Sequence, residues 1–362
     1  MQTATLQPTR GLSMISADMP EILETLGTDI THFSGKTVLI TGASGVLPSY
    51  CADTIAYANR NMLAEPAKLL LLVRSFPTHY GRLAHLVGRD DVSFVVQDVR
   101  EPLEINGPLD FVIHAASPAA PRKFAEDPVG TLDANSYALR GLLELTRMHE
   151  VESFLFFSSS EIYGNPEPEN IPTPETYIGR FDFALARSFY AEAKRFGETL
   201  CRAYCEMYGV PTRVVRPFHV HGPGLRADDG RIVADMMVKG LEGKPLKLAS
   251  NGAATRTYGY ISDATVGFLK VLLNGQKGEA YNVGADKPEV SILDLTKLIS
   301  QLCGRTDSVE VSKAASPQGS PGRVCPDLSK IQRSLGFEPK VELSDGLTRT
   351  ISWFRTQTMD KV

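Results

Sequence analysis

The stretch TVLITGASGVLP occupies residues 37–48. Its first five residues are β-favouring and show no polar alternation, the mark of a strand covered on both faces. A glycine turn follows, and a helical pattern runs from about Pro48 to Asn61. Gly42 permits the tight turn, and Gly45 lets backbone amides approach a pyrophosphate at the positive end of the helix. Strand, glycine turn and helix in that order predict a dinucleotide site. The cofactor-binding residues here are Gly42, Ser44, Gly45, Val46 and Leu47. Pro48 departs from the fingerprint, standing where a third glycine permits close helix–strand packing. Proline is tolerated in a first helical turn, so a shifted helix with the site retained is expected.

Outward from this unit the same rhythm repeats. Buried strands are predicted over 69–73, 92–96, 111–114, 153–158 and 212–215, with helices over 129–149 and 184–208. The fold class is therefore α/β, a doubly wound parallel (Rossmann-type) sheet. After Arg216 shorter elements mix with loops, which predicts a smaller C-terminal α/β substrate lobe. The boundaries expected are a dinucleotide-binding domain over 35–216 and a lobe over 217–355, parts of which return to the first domain. A tail follows over 356–362. Residues 1–34 read as an N-terminal arm without periodicity to about Asp18, then a short helix. Asp18 is its expected N-cap, and Ile22, Leu23 and Leu26 lead to Gly27.

Composition narrows the function classes. Of 362 residues, 43% are apolar and 22% charged, an ordinary globular balance. Thirty-eight basic and 42 acidic residues leave a formal charge of −4, with no Lys/Arg-rich run to meet nucleic acid. The longest aliphatic run, Leu69 to Val73, cannot cross a bilayer. Residues 1–34 lack the basic start and apolar stretch of a secretory signal. No membrane partner and a cytoplasmic location are expected. Cys51, Cys201, Cys205, Cys303 and Cys325 form no CxxC pair, so neither a disulfide framework nor a zinc site is predicted. His219 and His221 lack a carboxylate or third ligand at metal-binding spacing.

The residue closing the second strand bears on the cofactor. An acid there grips the adenosine ribose, but this chain has Arg74, which suits a 2′-phosphate or stacks on adenine. NADP thus competes with NAD, and a solvated surface arginine is the plain alternative. Asp98 and Val99, closing the third strand, are candidates for the adenine edge.

A second site comes from Tyr190-Ala-Glu-Ala-Lys194, which places a phenol and an ammonium on one helix face. A nearby cation and a positive nicotinamide would lower the tyrosine pKa, letting tyrosinate take a proton from a sugar hydroxyl. The serine cluster Ser158, Ser159 and Ser160 ends a parallel strand, the edge where such sheets bind ligands.

With these motifs assembled, the chain resembles an extended short-chain dehydrogenase/reductase of the nucleotide-sugar epimerase/dehydratase/decarboxylase group over nearly all of 35–355. The resemblance rests on TGASG at 41–45, HAASPAAP at 114–121, Asn135, SSSEIYG at 158–164 and YAEAK at 190–194. It also rests on RPFHVHGPG at 216–224, DDGR at 228–231, TRTYGYISD at 255–263 and YNVG at 281–284. The pattern is nearest to UDP-glucuronate decarboxylases. The extension before Gly35 and the longer link before Leu69 look instead like a less characterised branch from sugar-antigen gene clusters.

The resemblance implies roles. Ser159, Glu161, Tyr190 and Lys194 form the catalytic set. Ser159 bonds the sugar O4, Tyr190 is the acid/base, and Lys194 holds the ribose and lowers the tyrosine pKa. Ala115, Ala116, Ser117, Asn135 and Pro217 surround a tightly bound cofactor, with NAD the commoner choice in the group. Phe124, Ser160, Arg187, His219, Arg231 and Arg256 fall to the nucleotide diphosphate-sugar. His219 replaces a usual asparagine, and Phe124 stands where decarboxylases carry a tyrosine. A homodimer packed through helices near 131–149 and 185–208 is also implied.

All three reactions of this group begin with oxidation at C4. A 4-keto group β to a C6 carboxylate eases loss of carbon dioxide; dehydration needs a carboxyl group at C5, and epimerisation needs only room to turn. Glu161, two residues beyond Ser159, therefore ranks decarboxylase first, 4,6-dehydratase second and 4-epimerase third. A nicotinamide-sensing binding protein is the non-enzyme reading, opposed by the presence of serine, tyrosine and lysine together.

Overall fold

Leu39 and Ile40 are neighbours in sequence yet sink into two different hydrophobic clusters on opposite sides of one sheet. Strand side chains alternate between faces, so a strand buried on both sides reads as an unbroken apolar run. The computed structural model describes residues 10–77, 82–118, 121–180, 182, 184–186, 188–306, 309–314 and 320–359. Its central sheet contains β1 (Thr37–Thr41), β2 (Lys68–Val73), β3 (Val92–Val96), β4 (Phe111–His114), β5 (Ser153–Phe157), β6 (Thr212–Pro217) and β7 (Ala280–Val283). All seven are parallel, in the order β7-β6-β5-β4-β1-β2-β3. This is the doubly wound sheet the sequence predicts.

The helices are α1 (Arg10–Leu26), α2 (Val46–Asn61), α3 (Pro121–Glu126), α4 (Pro128–Asn135), α5 (Tyr137–Met148) and α6 (Ser188–Tyr208), followed by α7 (Ile232–Leu241), α8 (Ile261–Asn274), α9 (Ile292–Leu302), α10 (Ser329–Leu335) and α11 (Leu343–Met359). Residues from α2 and α8 bury Val38, Ile40, Leu69 and Ile113 on one face. On the other face α5 and α6 cover Leu39, Val112, Phe154 and Phe156. The strand order reverses between β1 and β4, whose final residues Thr41 and His114 are paired. The crevice at this switch point is where such sheets receive ligands.

Several elements differ from expectation. The helix predicted over 129–149 is split into α4 and α5 at Ser136, whose ψ of −73° lies beyond the helical range. The helix α2 starts at Val46, so Pro48 sits in its first turn, where its missing N–H costs no internal bond. The helix α6 starts at Ser188 rather than 184, and α11 continues to Met359, into the stretch read as a tail. Beyond β6, β7 returns to the sheet edge beside β6. Short strands complete the rest, notably Thr255–Arg256 between Val290–Ser291 and Arg323–Val324.

The largest correction concerns the N-terminus. Asp18 is not an N-cap: α1 begins at Arg10 and carries Pro20 in its interior. Ile15, Met19, Ile22, Leu23 and Leu26 form one buried stripe, packed against α2, α8 and α11. Asp18 is itself buried and accepts hydrogen bonds from Tyr50 at 3.0 Å, Tyr260 at 2.9 Å and Arg349 at 3.2 Å. Burial raises its pKa, while Tyr260, Tyr50 and Arg349 oppose the rise.

Removing this acceptor in Asp18→Ala strands two buried phenols, so unfolding in urea should show a loss of about 2–5 kcal/mol. A carboxyl with a raised folded-state pKa contributes stability below its unfolded value and loses it as pH rises through the folded one. The stability difference between wild type and Asp18→Asn should therefore move in the variant's favour as pH rises through that window.

Candidate functional site

Gly42 ends β1 with φ of +67°. A Cβ there would lie 2.7 Å from Ala116 Cα and 2.8 Å from Ala116 N. Only glycine therefore lets the turn after β1 touch the turn after β4. Gly45 N donates to Gly42 O at 2.8 Å, closing the turn, and Gly45 caps α2 without any side-chain acceptor. The first amides of α2 are thus left for an anion at a positive helix end. Ala115, Ala116 and Ser117 form the facing wall. Asn135 donates to Ser117 Oγ at 2.9 Å and to Thr131 O at 2.8 Å, while its buried Oδ1 has no partner among the described residues. A glycine cradle, free helix amides and an unsatisfied buried acceptor fit a dinucleotide.

His114 pins this crevice from below. The Thr41 hydroxyl donates to Nδ1 at 2.7 Å, and Nε2–H donates to Ala134 O at 3.2 Å. Burial, reinforced by Lys194, drives its pKa down to about 3, so the imidazole is neutral and its tautomer fixed.

Arg74 is exposed just past β2. The Asp98 carboxylate is forked by Arg100 at 2.9 Å through Nε and Nη2, and also accepts the Arg100 amide at 2.9 Å. Arg100, with Arg74 adding its field, lowers Asp98 to about 2. Val99 packs partly buried against the second core cluster, and Pro217 ends β6 paired with Val283.

The strand end of β5 meets the first turn of α6. Ser159 caps a 3₁₀ turn at Ser160–Tyr163, its Oγ accepting from Glu161 N at 3.2 Å. The Ser159 hydroxyl acts on Tyr190, drawing its pKa downward. Phe124 stacks on the Tyr190 ring at 5.1 Å and 11°. Lys194 is buried, donates to Phe157 O at 2.6 Å, and lies 5.8 Å from the Tyr190 ring centroid. Burial lowers its pKa to about 7, with Glu198 pulling upward.

Here an electrostatic expectation changes. In the chain's own field Tyr190 is not lowered but raised to about 12, by burial first and Glu161 second. The opposing influences are the Ser159 hydrogen bond and the charge of Arg231, not Lys194. The ammonium is directed to the Phe157 carbonyl instead.

Ser160, Glu161, His219 and Arg256 line one pocket together with Phe218 and Arg323. Arg256 is held by the carbonyls of Thr255 at 2.7 Å and Pro321 at 2.6 Å. Arg231 pairs with Asp229 at the start of α7. His219 stacks on Tyr258 at 5.5 Å, while buried His221 bonds Thr350 at 3.0 Å and is lowered by burial to about 4. Arg187 lies outside the described residues.

Sequence reasoning missed the support beneath this set. Glu198, one turn beyond Lys194, accepts from Ser158 at 2.5 Å and is forked by Arg216 at 3.0 and 2.6 Å. Arg216 also donates to the Tyr163 hydroxyl at 2.8 Å, which donates to Asn282 at 2.7 Å. The i, i+4 spacing from Lys194 was the available signal.

Comparison with known proteins agrees with this geometry. UDP-glucuronic acid decarboxylase 1 of Xenopus tropicalis is 33% identical over 89% of this chain and 73% of its own length. UDP-glucuronic acid decarboxylase 5 of Arabidopsis thaliana is 30% identical over 87% of this chain and 88% of its own. Among solved structures, a dTDP-glucose 4,6-dehydratase of Streptomyces venezuelae with NAD bound has a TM-score of 0.76 at 25% identity, covering 88% of this chain and 97% of that one. The family model for the NAD dependent epimerase/dehydratase family matches residues 38–284. This chain belongs to the NAD dependent epimerase/dehydratase family.

Proposed function

We propose that the protein is a nucleotide-sugar enzyme that oxidises its substrate at C4 and decarboxylates an NDP-hexuronate of the UDP-glucuronate type. The observation that carries this reading is Glu161 sharing a pocket with Arg256 and His219 while acting electrostatically on Tyr190. The named relatives support the hexuronate.

A bound nicotinamide dinucleotide supplies reversible hydride acceptance. Tyr190 takes the proton of the sugar O4 hydroxyl, and Ser159, whose hydroxyl favours the tyrosinate, orients that oxygen. Burial and the charge of Glu161 raise Tyr190, so the positive charge of Arg231 and of an oxidised nicotinamide must offset them. Lys194 holds the strand end at Phe157, and in this reading it also holds the ribose. Arg231 and Arg256 are forks suited to the substrate diphosphate. Once C4 is a ketone, the C5–C6 bond breaks and its electron pair enters a C4–C5 enolate as the C6 carboxylate leaves as carbon dioxide; Glu161 would then deliver a proton to C5, and Tyr190 would return its proton to O4 as C4 regains the hydride. A 4,6-dehydratase is the second reading, favoured by the solved relative at 25% identity.

Two finer points belong to this proposal. Arg74 stands exposed beside an Asp98 whose oxygens are engaged by Arg100, which favours NADP over NAD. Homodimer formation is supported by apolar side chains left exposed on α4, α5 and α6: Val129, Leu132, Tyr137, Phe196 and Met207.

Tyr190→Phe should keep the fold and cut turnover roughly 10²–10⁴-fold; turnover within a few-fold of wild type would remove Tyr190 as the acid/base. Cofactor extracted from the protein should be mostly NADP, and Arg74→Asp should shift preference toward NAD. Recovery of NAD alone, unchanged in the variant, returns Arg74 to a surface role.

Glu161→Gln, given UDP-glucuronate, should still reduce the cofactor but accumulate a 4-keto sugar, followed by absorbance and mass. A variant that binds the substrate yet fails to reduce the cofactor assigns Glu161 to the first step. A panel of UDP-, GDP-, CDP- and dTDP-sugars, scored for loss of carbon dioxide, loss of water or unchanged mass, decides among the three reactions.

A further inference from the structure

Arg82 lies outside every motif of the sequence, yet it reaches both halves of the site. Its Nε donates to Gly224 O at 2.5 Å, and its Nη1 donates to Ser44 O. Ser44 belongs to the glycine turn after β1. Gly224, at φ of +88°, belongs to the loop that carries the chain from β6 into the substrate lobe. That loop is braced from its other side, because Trp353 Nε1 on α11 donates to Leu225 O at 3.0 Å. A single guanidinium therefore ties the dinucleotide turn to a loop anchored by the last helix.

The charges around Arg82 are unbalanced. Asp228 and Asp229 are engaged by Arg226 and Arg231 respectively. Burial, together with repulsion from those two arginines, pushes Arg82 down to about 10. A partly buried cation is costly unless an anion accompanies it. The anion that this turn is shaped to receive is a pyrophosphate, and an arginine fork is suited to it.

We propose that Arg82 is a positioning residue for the cofactor: it clamps the glycine turn to the Gly224 loop and supplies counter-charge to the dinucleotide pyrophosphate, so that the cofactor stays bound between turnovers. This rests on the dinucleotide site described above. Releasing the cofactor requires the Ser44–Arg82–Gly224 bridge to open, which couples cofactor exchange to movement of the substrate loop.

The test uses the full chain stripped of nucleotide, with ADP-ribose and adenosine as calorimetric probes, for wild type, Arg82→Gln and Arg82→Lys. ADP-ribose carries the pyrophosphate and adenosine does not. In Arg82→Gln, affinity for ADP-ribose should fall roughly ten- to a hundredfold, the effect of losing a charge-assisted hydrogen bond. Affinity for adenosine should hold, and the nicotinamide content of freshly purified protein should drop. Arg82→Lys should recover part of the loss through its charge. The wild-type advantage should also shrink with added salt. Equal weakening of both probes, the sign of a turn that has merely loosened, overturns the proposal, as does unchanged ADP-ribose affinity. If Arg82→Gln does not fold, the same comparison in Arg82→Lys decides. Failure of wild type to bind ADP-ribose would instead overturn the dinucleotide reading itself.

Discussion

The contact between two backbone turns governs this molecule. With a Cβ at residue 42 only 2.7 Å from Ala116 Cα, the turns after β1 and β4 can touch only because Gly42 has no side chain. Their contact sets the width of the switch-point crevice, and the paired ends Thr41 and His114 lie directly beneath it. The Thr41–His114–Ala134 hydrogen bonds then tie both strands to α4. Because α4 also carries Asn135, the same contact fixes the acceptor and donor pair beside Ser117. Widening this crevice by a methyl group would move the cofactor cradle, the β4 turn and the helix behind it together.

Around that constraint the protein arranges buried charge in a graded way. Lys194, Glu198 and Arg216 form a sequence of cation, anion and cation running from the strand end of β5 to β6, with Ser158 and Tyr163 satisfying the remaining groups. Glu198 matters to chemistry it never touches. It opposes the desolvation that drives Lys194 toward neutrality, and its Arg216 partner orients the Tyr163 end of the turn bearing Glu161. Tyr190 lies on the other side of this arrangement, with Ser159 and Arg231 opposing its own desolvation. Binding ligand charge on that side shifts Tyr190 without requiring Lys194 to move.

The parallel sheet was legible because both of its faces are covered, which leaves strands such as Val38–Ile40 and Phe111–Ile113 without polar interruption. The glycine turn and the YAEAK helix were legible because their chemistry depends on residues close in sequence. What escaped depends on distance along the chain. Asp18 before a proline mimics a helix start, and only its contacts with Tyr260 and Arg349, 242 and 331 residues away, make it a buried anchor. Arg82 reaches Gly224 across 142 residues and carries no local pattern. The partner of Lys194 escaped for a similar reason: i, i+4 spacing put Lys194 on the face of Tyr190 but could not reveal that Phe157 O would receive its ammonium.

The same reasoning explains why the reaction is harder to read than the fold. Decarboxylation, dehydration and epimerisation share the oxidation at C4, so Ser159, Tyr190 and Lys194 cannot separate them. Groups able to separate them must act beyond C4, and Glu161, two residues past Ser159, shares a pocket with His219 and Arg256. A carboxylate can hold a proton-transfer role where a nearby guanidinium lowers the cost of its charge. Epimerisation adds only the need for clearance in which the sugar can turn over. The short strand Thr255–Arg256, held between Val290–Ser291 and Arg323–Val324, keeps Arg256 in place. Arg256 is therefore positioned by the small C-terminal sheet, while Ser159 stands at the end of a strand of the large one.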